Sequence, residues 1–258
     1  MTTHMVIPDT QIKPGTRIDH MGWAGKYAAA KEPDTIVWIG DGPDMPSLSS
    51  YDVGKKSFEG RTYKADIEIF KKGTSLLMKP ILQKQAAQRA AKVKVWKPKL
   101  IYTDGNHDYR IVRAIESDRK LEGLISLKDR GLEEWGWDVH PYLSVVVRDG
   151  IAYSHYFTSG IMGRPVTSAR AMVSKKHMSC IMGHVQKAEI DFQYDAQGKR
   201  LTGIFAGCYY QHDEDYLNPQ GNASTWRGIW MLYNVKDGEF THNNVPLSFL
   251  KGKYGGRN

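Results

Sequence analysis

Thr35-Ile36-Val37-Trp38-Ile39-Gly40-Asp41-Gly42-Pro43-Asp44 joins five apolar or β-branched residues to a turn that carries two carboxylates. Such side chains favour a pleated strand, and the glycines and proline beyond Ile39 end it. The carboxylates therefore leave the carboxyl end of a strand, where ligands of α/β sheets gather.

Working outward, the same arrangement recurs. A strand expected at 5–8 precedes Asp9-Thr10-Gln11, and one at 100–103 precedes Gly105-Asn106-His107-Asp108. A strand at 151–154 ends in His155, and one at 179–182 ends in Gly183-His184-Val185-Gln186. A further strand is expected at 143–147. Helix-compatible stretches at 18–31, 109–117 and 165–177 lie between them. Strands alternating with helices imply an α/β core, and the strand-rich stretch 188–245 implies a second sheet packed against it. The expected fold class is α/β, with two stacked mixed β-sheets flanked by helices.

A chain of 258 residues suits a single domain, 1–258. No apolar run approaches the roughly 20 residues of a membrane span. Residues 1–6 lack the basic stretch and apolar core of a secretion signal, so a cytoplasmic, intracellular setting without membrane partners is expected. Cys180 and Cys208 cannot form a disulfide framework and read as small core residues. The formal charge of +8 favours polyanionic partners. Twelve lysines and arginines fall between Lys55 and Lys97, in what reads as an insertion at about 47–98. Its middle, 65–95, is helix-compatible but interrupted by Gly73 and Pro80, which suggests a solvated helical pair. The sharper reading is a basic arm that contacts nucleic-acid phosphates.

Taken singly, an Asp after a strand is commonly a helix cap and a lone His a structural residue. Five such elements in this order carry the argument together. They resemble the calcineurin-like metallophosphoesterase superfamily, whose pattern is DxH, GDxxD, GNH followed by Asp or Glu, a lone His, and GHxH. The GDxxD and GNHD elements match in full, and coverage runs from Asp9 to Gln186. The resemblance implies a two-sheet sandwich with two divalent cations at one end. It implies that Asp41 bridges them, one taking Asp9, Gln11 and Gln186 as well, the other Asn106, His155 and His184. His140 and His177 compete with His155 for the lone-His place; His155 is preferred because it ends a strand. His107 is implied to be a non-ligand facing the leaving-group oxygen, with Asp44 orienting its ring, although a carboxylate beside Pro43 is also a common turn residue. Arg110, just beyond, is a candidate for a substrate phosphate, as is Asn106; a surface arginine at a helix start is the commoner role.

Two residues depart from the pattern. Gln11 stands where DxH has His, and Gln186 where GHxH has its second His. Both fall on one metal site, and amide oxygens are harder donors than imidazole, so Mn2+ is the first expectation there, with Mg2+, Fe2+, Ni2+ or Zn2+ as alternatives. Met45 and Asp108 replace the Arg and Glu usual in protein-phosphatase members. The GNHD form is nearer the nucleases and phosphodiesterases, which points to a phosphodiester in nucleic acid or nucleotides as substrate. The alternatives are a phosphomonoesterase acting on nucleotides or phosphoproteins, and a catalytically impaired nucleic-acid-binding protein. Tyr209, Tyr210, Tyr216 and Trp226 around Asp213-Glu214-Asp215 read as loop-anchoring aromatics, with a substrate-stacking lid as the alternative; His212 is unassigned.

Overall fold

A computed structural model of the chain describes residues 1–215 and 217–256; Tyr216 of the loop aromatics lies outside them. In chain order the strands are β1 (Thr2–Ile7), β2 (Thr35–Trp38), β3 (Lys99–Thr103), β4 (Asp138–His140), β5 (Val146–Arg148), β6 (Ile151–Tyr153), β7 (Ser179–Met182), β8 (Ala188–Tyr194), β9 (Arg200–Ala206), β10 (Gly228–Lys236) and β11 (Glu239–Pro246). The helices are α1 (Asp19–Lys31), α2 (Tyr63–Ala90), α3 (Arg110–Ser117), α4 (Ala169–Lys176), α5 (Pro219–Ser224) and α6 (Leu247–Tyr254). Two mixed sheets result, ordered β11-β10-β1-β2-β3-β4 and β5-β6-β7-β9-β8, as the alternation of elements implied.

The period-two pleat explains why the sheets stack. Met5 and Ile7 of β1, with Ile36 and Trp38 of β2, face a core shared with α1, α2 and α6. Their neighbours Val6 and Val37 point the other way, onto Ile151 and Tyr153 of β6, Ile181 of β7 and Ile204 of β9. The outer face of the second sheet, through Cys180, Met182 and Phe205, packs on Ala169 and Met172 of α4. Both cysteines are buried and free, as core residues should be. Among the described residues, no helix is long and apolar enough to cross a membrane.

Several expectations need correction. The late strands do not form one sheet: β8 and β9 join the second sheet, but β10 and β11 return to the first, where β10 pairs antiparallel with β1. The strand expected from 143 begins only at Val146, because Ser144 N–H donates to the Pro141 carbonyl (3.0 Å) and Leu143 adopts a φ of 65°. The helix expected from 165 starts at Ala169, where the Ser168 hydroxyl accepts the Ala171 N–H (3.1 Å). The expected helical pair is one 28-residue helix, α2, running through both Gly73 and Pro80. A proline inside a helix costs about 3 kcal/mol in isolation. Here Phe70, Leu77, Met78 and Ile81 are buried on one face, each contributing about 1.5–3 kcal/mol, so packing outweighs propensity. Gly73 lies against Ile12, where a side chain would collide.

One buried group gives the fold a pH dependence. His20 on α1 sits edge-on to Tyr209, ring centroids 5.1 Å apart, and burial pushes its pKa down to about 3. The folded protein holds it neutral, whereas the unfolded chain protonates it near 6.5. A depressed folded pKa means stability that is present above pH 6.5 and lost as pH falls toward 3. At pH 5 the loss should be about 2 kcal/mol. Thermal melts between pH 7.5 and pH 5 should show His20→Gln losing less stability on acidification than the wild type; equal losses would show that His20 is not the group responsible.

Candidate metal centre

Strands β1, β2 and β3 run parallel in the first sheet, and β6 and β7 run parallel in the second. The loops leaving their carboxyl ends converge. Four residues there, Gln11, Asp41, His184 and Gln186, have left-handed backbones with φ of 38°, 45°, 66° and 60°. Non-glycine residues in that region cost of order 1–3 kcal/mol each and persist where the surroundings enforce them. Two motif glycines also have a packing reason. A side chain at Gly105 would collide with the Asp41 carboxylate, and one at Gly183 with the Asp9 carboxylate.

At the centre, Asp41, His155 and His184 offer ligand atoms that lie within 4.8 Å of one another, a buried group that could hold a metal ion. Asn106 Oδ1 is 3.0 Å from His155 Nε2 and 2.9 Å from His184 Nδ1. His155 Nδ1 donates to the Ile39 carbonyl (3.0 Å), which aims Nε2 at Asp41 Oδ2, 3.3 Å away. Such a backbone carbonyl fixes the ring and tautomer of a ligating imidazole. The competing histidines lie elsewhere: His140 pairs with Asp138 (3.1 Å), and His177 follows α4 with a φ of 55°.

The electrostatics show a site short of positive charge. Burial raises the Asp9 carboxyl to about 7 against the pull of His155. Burial would also raise Asp41, but the charges of His155 and His107 and the His107 amide outweigh it and hold Asp41 well below the usual range. Burial would lower His155, yet Asp41 and Asp9 raise it to about 10. Burial and the neighbouring His155 lower His184 to about 4, leaving it neutral, the form in which an imidazole can ligate. A buried carboxyl and a buried imidazole that hold protons in this way, Asp9 and His155, suit a divalent cation, which displaces those protons on binding.

Asp9 accepts the His184 N–H with both oxygens (3.0 Å each). Gln11 is 1% exposed and its Oε1 has no hydrogen-bond partner among the described residues. A buried amide oxygen left so costs about 1–3 kcal/mol, and a cation beside it removes that penalty, so the donor set fits a metal here too. Gln186 Oε1 accepts from the Tyr210 hydroxyl (3.0 Å), whose ring stacks on His212 with centroids 4.6 Å apart.

Beside this cluster, His107 Nδ1 donates to Asp44 Oδ1 (2.6 Å), and its backbone N–H donates to Asp41 Oδ1 (2.8 Å). With Nδ1 engaged, Nε2 is the ring nitrogen left to act in the cleft. Burial works against the charged ring, but Asp41 and Asp44 raise the His107 pKa above its ordinary value. Arg110 lines the same cleft, although its Nη1 already donates to the Asp44 carbonyl (2.7 Å) and approaches Asp44 Oδ1 (3.3 Å).

Three supporting groups escaped the sequence reading. Lys13 bridges Asp44 Oδ2 (3.2 Å) and Glu214 Oε2 (2.6 Å), tying the late loop to the partner of His107. Arg130 is buried between Asp104 (2.7 Å) and Asp108 (2.5 Å). The Tyr102 hydroxyl accepts the Gly42 N–H (3.0 Å) and donates to Asp108 (2.8 Å), and Asp108 in turn accepts the Gly105 N–H (2.9 Å), so this hub locks two motif loops together. Their partners Asp44, Asp108 and Glu214 lay in stretches the sequence had marked, whereas Lys13, Asp104 and Arg130 did not.

No family model matches the chain, and no curated protein matches it either. What the arrangement can do chemically therefore rests on its own geometry. It can hold a cation among buried oxygen and nitrogen donors, and it sets a carboxylate-held imidazole against a cleft of about 1240 Å³ whose walls include Pro46, Arg61 and Asp66 on one side and His212, Glu214 and Leu217 on the other.

Proposed function

We propose that this protein is a dinuclear metal-dependent phosphoesterase of the calcineurin-like type that hydrolyses phosphodiester bonds in nucleic acid or nucleotides. The observation that carries the reading is the convergence of Asp41, Asn106, His155 and His184 beside a His107 held by Asp44. Asp41, Asn106, His155 and His184 would hold one cation; Asp9, Gln11, Asp41 and Gln186 would hold the other. Two divalent cations so placed supply an activated water and draw charge from the phosphoryl oxygens.

The chain's own residues do the rest. Asp44 orients His107 and favours its protonated form, so that Nε2 can give a proton to the departing oxygen. The Ile39 carbonyl, accepting from His155 Nδ1, sets that ring with Nε2 turned toward the cation position. Lys13 and Arg110 keep the Asp44 carboxyl ionised, adding to the pull of His107 against burial. Small-molecule pockets span about 300–1,000 Å³. A cleft larger than that has room for an extended substrate.

The deciding experiment is an assay of purified protein with Mn2+, Mg2+, Fe2+, Ni2+ or Zn2+ against a matched aryl diester and monoester. We expect Mn2+ to support the highest turnover, because two amide oxygens complete one site, and the diester to have the higher kcat/KM. A tenfold preference for the monoester would replace this reading with a phosphomonoesterase. No turnover with any cation would leave a binding protein.

A further inference from the structure

The net positive charge of this chain is concentrated in one segment. Residues 61–100 hold eleven Lys and Arg against two acids, a net of +9, while the whole chain is +8, so the other 218 residues together carry −1. The segment is α2 and the extended stretch after it. Successive helical residues turn by 100°, which places Lys64, Lys71, Lys72, Lys79 and Arg89 on one exposed face, opposite the buried Phe70, Leu77, Met78 and Ile81. Lys92, Lys94 and Lys97, all exposed, continue it.

Among the described residues, Lys84 is held by Glu32 (2.7 Å) and Lys64 lies 3.8 Å from Glu68, but no ion pair involves Lys72, Lys79, Arg89, Lys94 or Lys97. From Lys64 to Arg89 the helix rises about 38 Å, the length of about 11 base pairs of duplex at 3.4 Å each. The first turn of α2 lines the cleft through Ala65 and Asp66, so the basic face begins at the cleft rim.

We propose that the exposed face of α2 and residues 92–97 form a docking track for the phosphate backbone of double-stranded nucleic acid. Charge complementarity names the partner, and the composition of the face narrows it. Single strands are held by stacking on aromatic rings, whereas the exposed residues of this face are Lys, Arg, Gln and Ala with Glu68 and Leu82, and no exposed aromatic is among them. Membrane-surface helices set large apolar side chains beside the cations; here Leu82 and Val93 are the exposed large hydrophobics of the segment. The track reads no bases, so its binding should be independent of sequence and strongly salt-dependent.

The proposal does not depend on phosphoesterase activity, and the test keeps the two apart. Binding of a labelled 30-base-pair DNA duplex is followed by fluorescence anisotropy in EDTA, with aryl diester turnover assayed separately in Mn2+. The variant Lys72→Gln/Lys79→Gln/Arg89→Gln/Lys94→Gln should bind at least tenfold more weakly at 100 mM salt. Its slope of log affinity against log salt should fall by about 3 to 4, near 0.9 per lost phosphate contact. Its thermal melt and its turnover should match the wild type. A control variant with the same loss of charge on the opposite side, Arg164→Gln/Arg170→Gln/Lys175→Gln/Lys199→Gln, should keep wild-type affinity. Equal binding by the α2 variant, equal loss in the control, or wild-type binding to phosphatidylserine vesicles but not to the duplex would each overturn the proposal.

Discussion

Replacing Asp41 with asparagine should leave a folded protein that retains little cation and turns over an aryl phosphodiester about a thousandfold more slowly, an effect of about 4 kcal/mol. Asparagine is the informative substitution because Asp41 has a φ of 45°, and Asn tolerates the left-handed region better than other non-glycine residues. The amide oxygen can still accept the His107 N–H, so the loop is expected to survive. What disappears is the buried negative charge that faces His155 and, in the proposed function, both cations. Metal content after dialysis and the turnover rate check this together. Near-wild-type turnover with full metal content would show that Asp41 is not the shared ligand.

The meeting of Asp41, Asn106, His155 and His184 was legible because each follows a strand, and strand ends can be read from local apolar runs. The glycines beside them carry a signal of the same kind: Gly105 and Gly183 are required by carboxylates that lie against them. Less visible was anything set by pairing between distant segments. Nothing local in β10 says that it hydrogen-bonds to β1 rather than to β9, since both edges offer the same backbone groups. Lys13 and Glu214 meet across 201 residues, and Arg130 lies in a short 3-10 turn among charged residues that read as surface, until the fold folds it between two aspartates. The continuity of α2 was hidden for a different reason: Pro80 and Gly73 are local breakers, and only the packing of the helix's buried face overrules them.

The second large effect concerns His107. In His107→Ala, turnover of a diester should fall by about 10² to 10⁴, the range a positioned general acid supplies, while metal content stays at the wild-type level. The geometry separates this outcome from that of Asp41. His107 reaches Asp41 through its backbone N–H, which alanine keeps, whereas its ring points Nδ1 at Asp44 and stands 3.8 Å from Asp41 Oδ2 through Nε2. A proton donor also leaves a signature that a structural residue does not. A weakly basic phenolate can depart without a proton, but an alkoxide cannot, so the loss should be smallest for diesters with acidic aryl leaving groups and grow steadily toward alkyl ones. Asp44→Asn should fall between the wild type and His107→Ala on the same series, because the ring remains but loses the carboxylate that raises its pKa and fixes its tautomer. A penalty independent of the leaving group would remove the proton-donor role, and loss of metal from His107→Ala would instead make His107 a ligand.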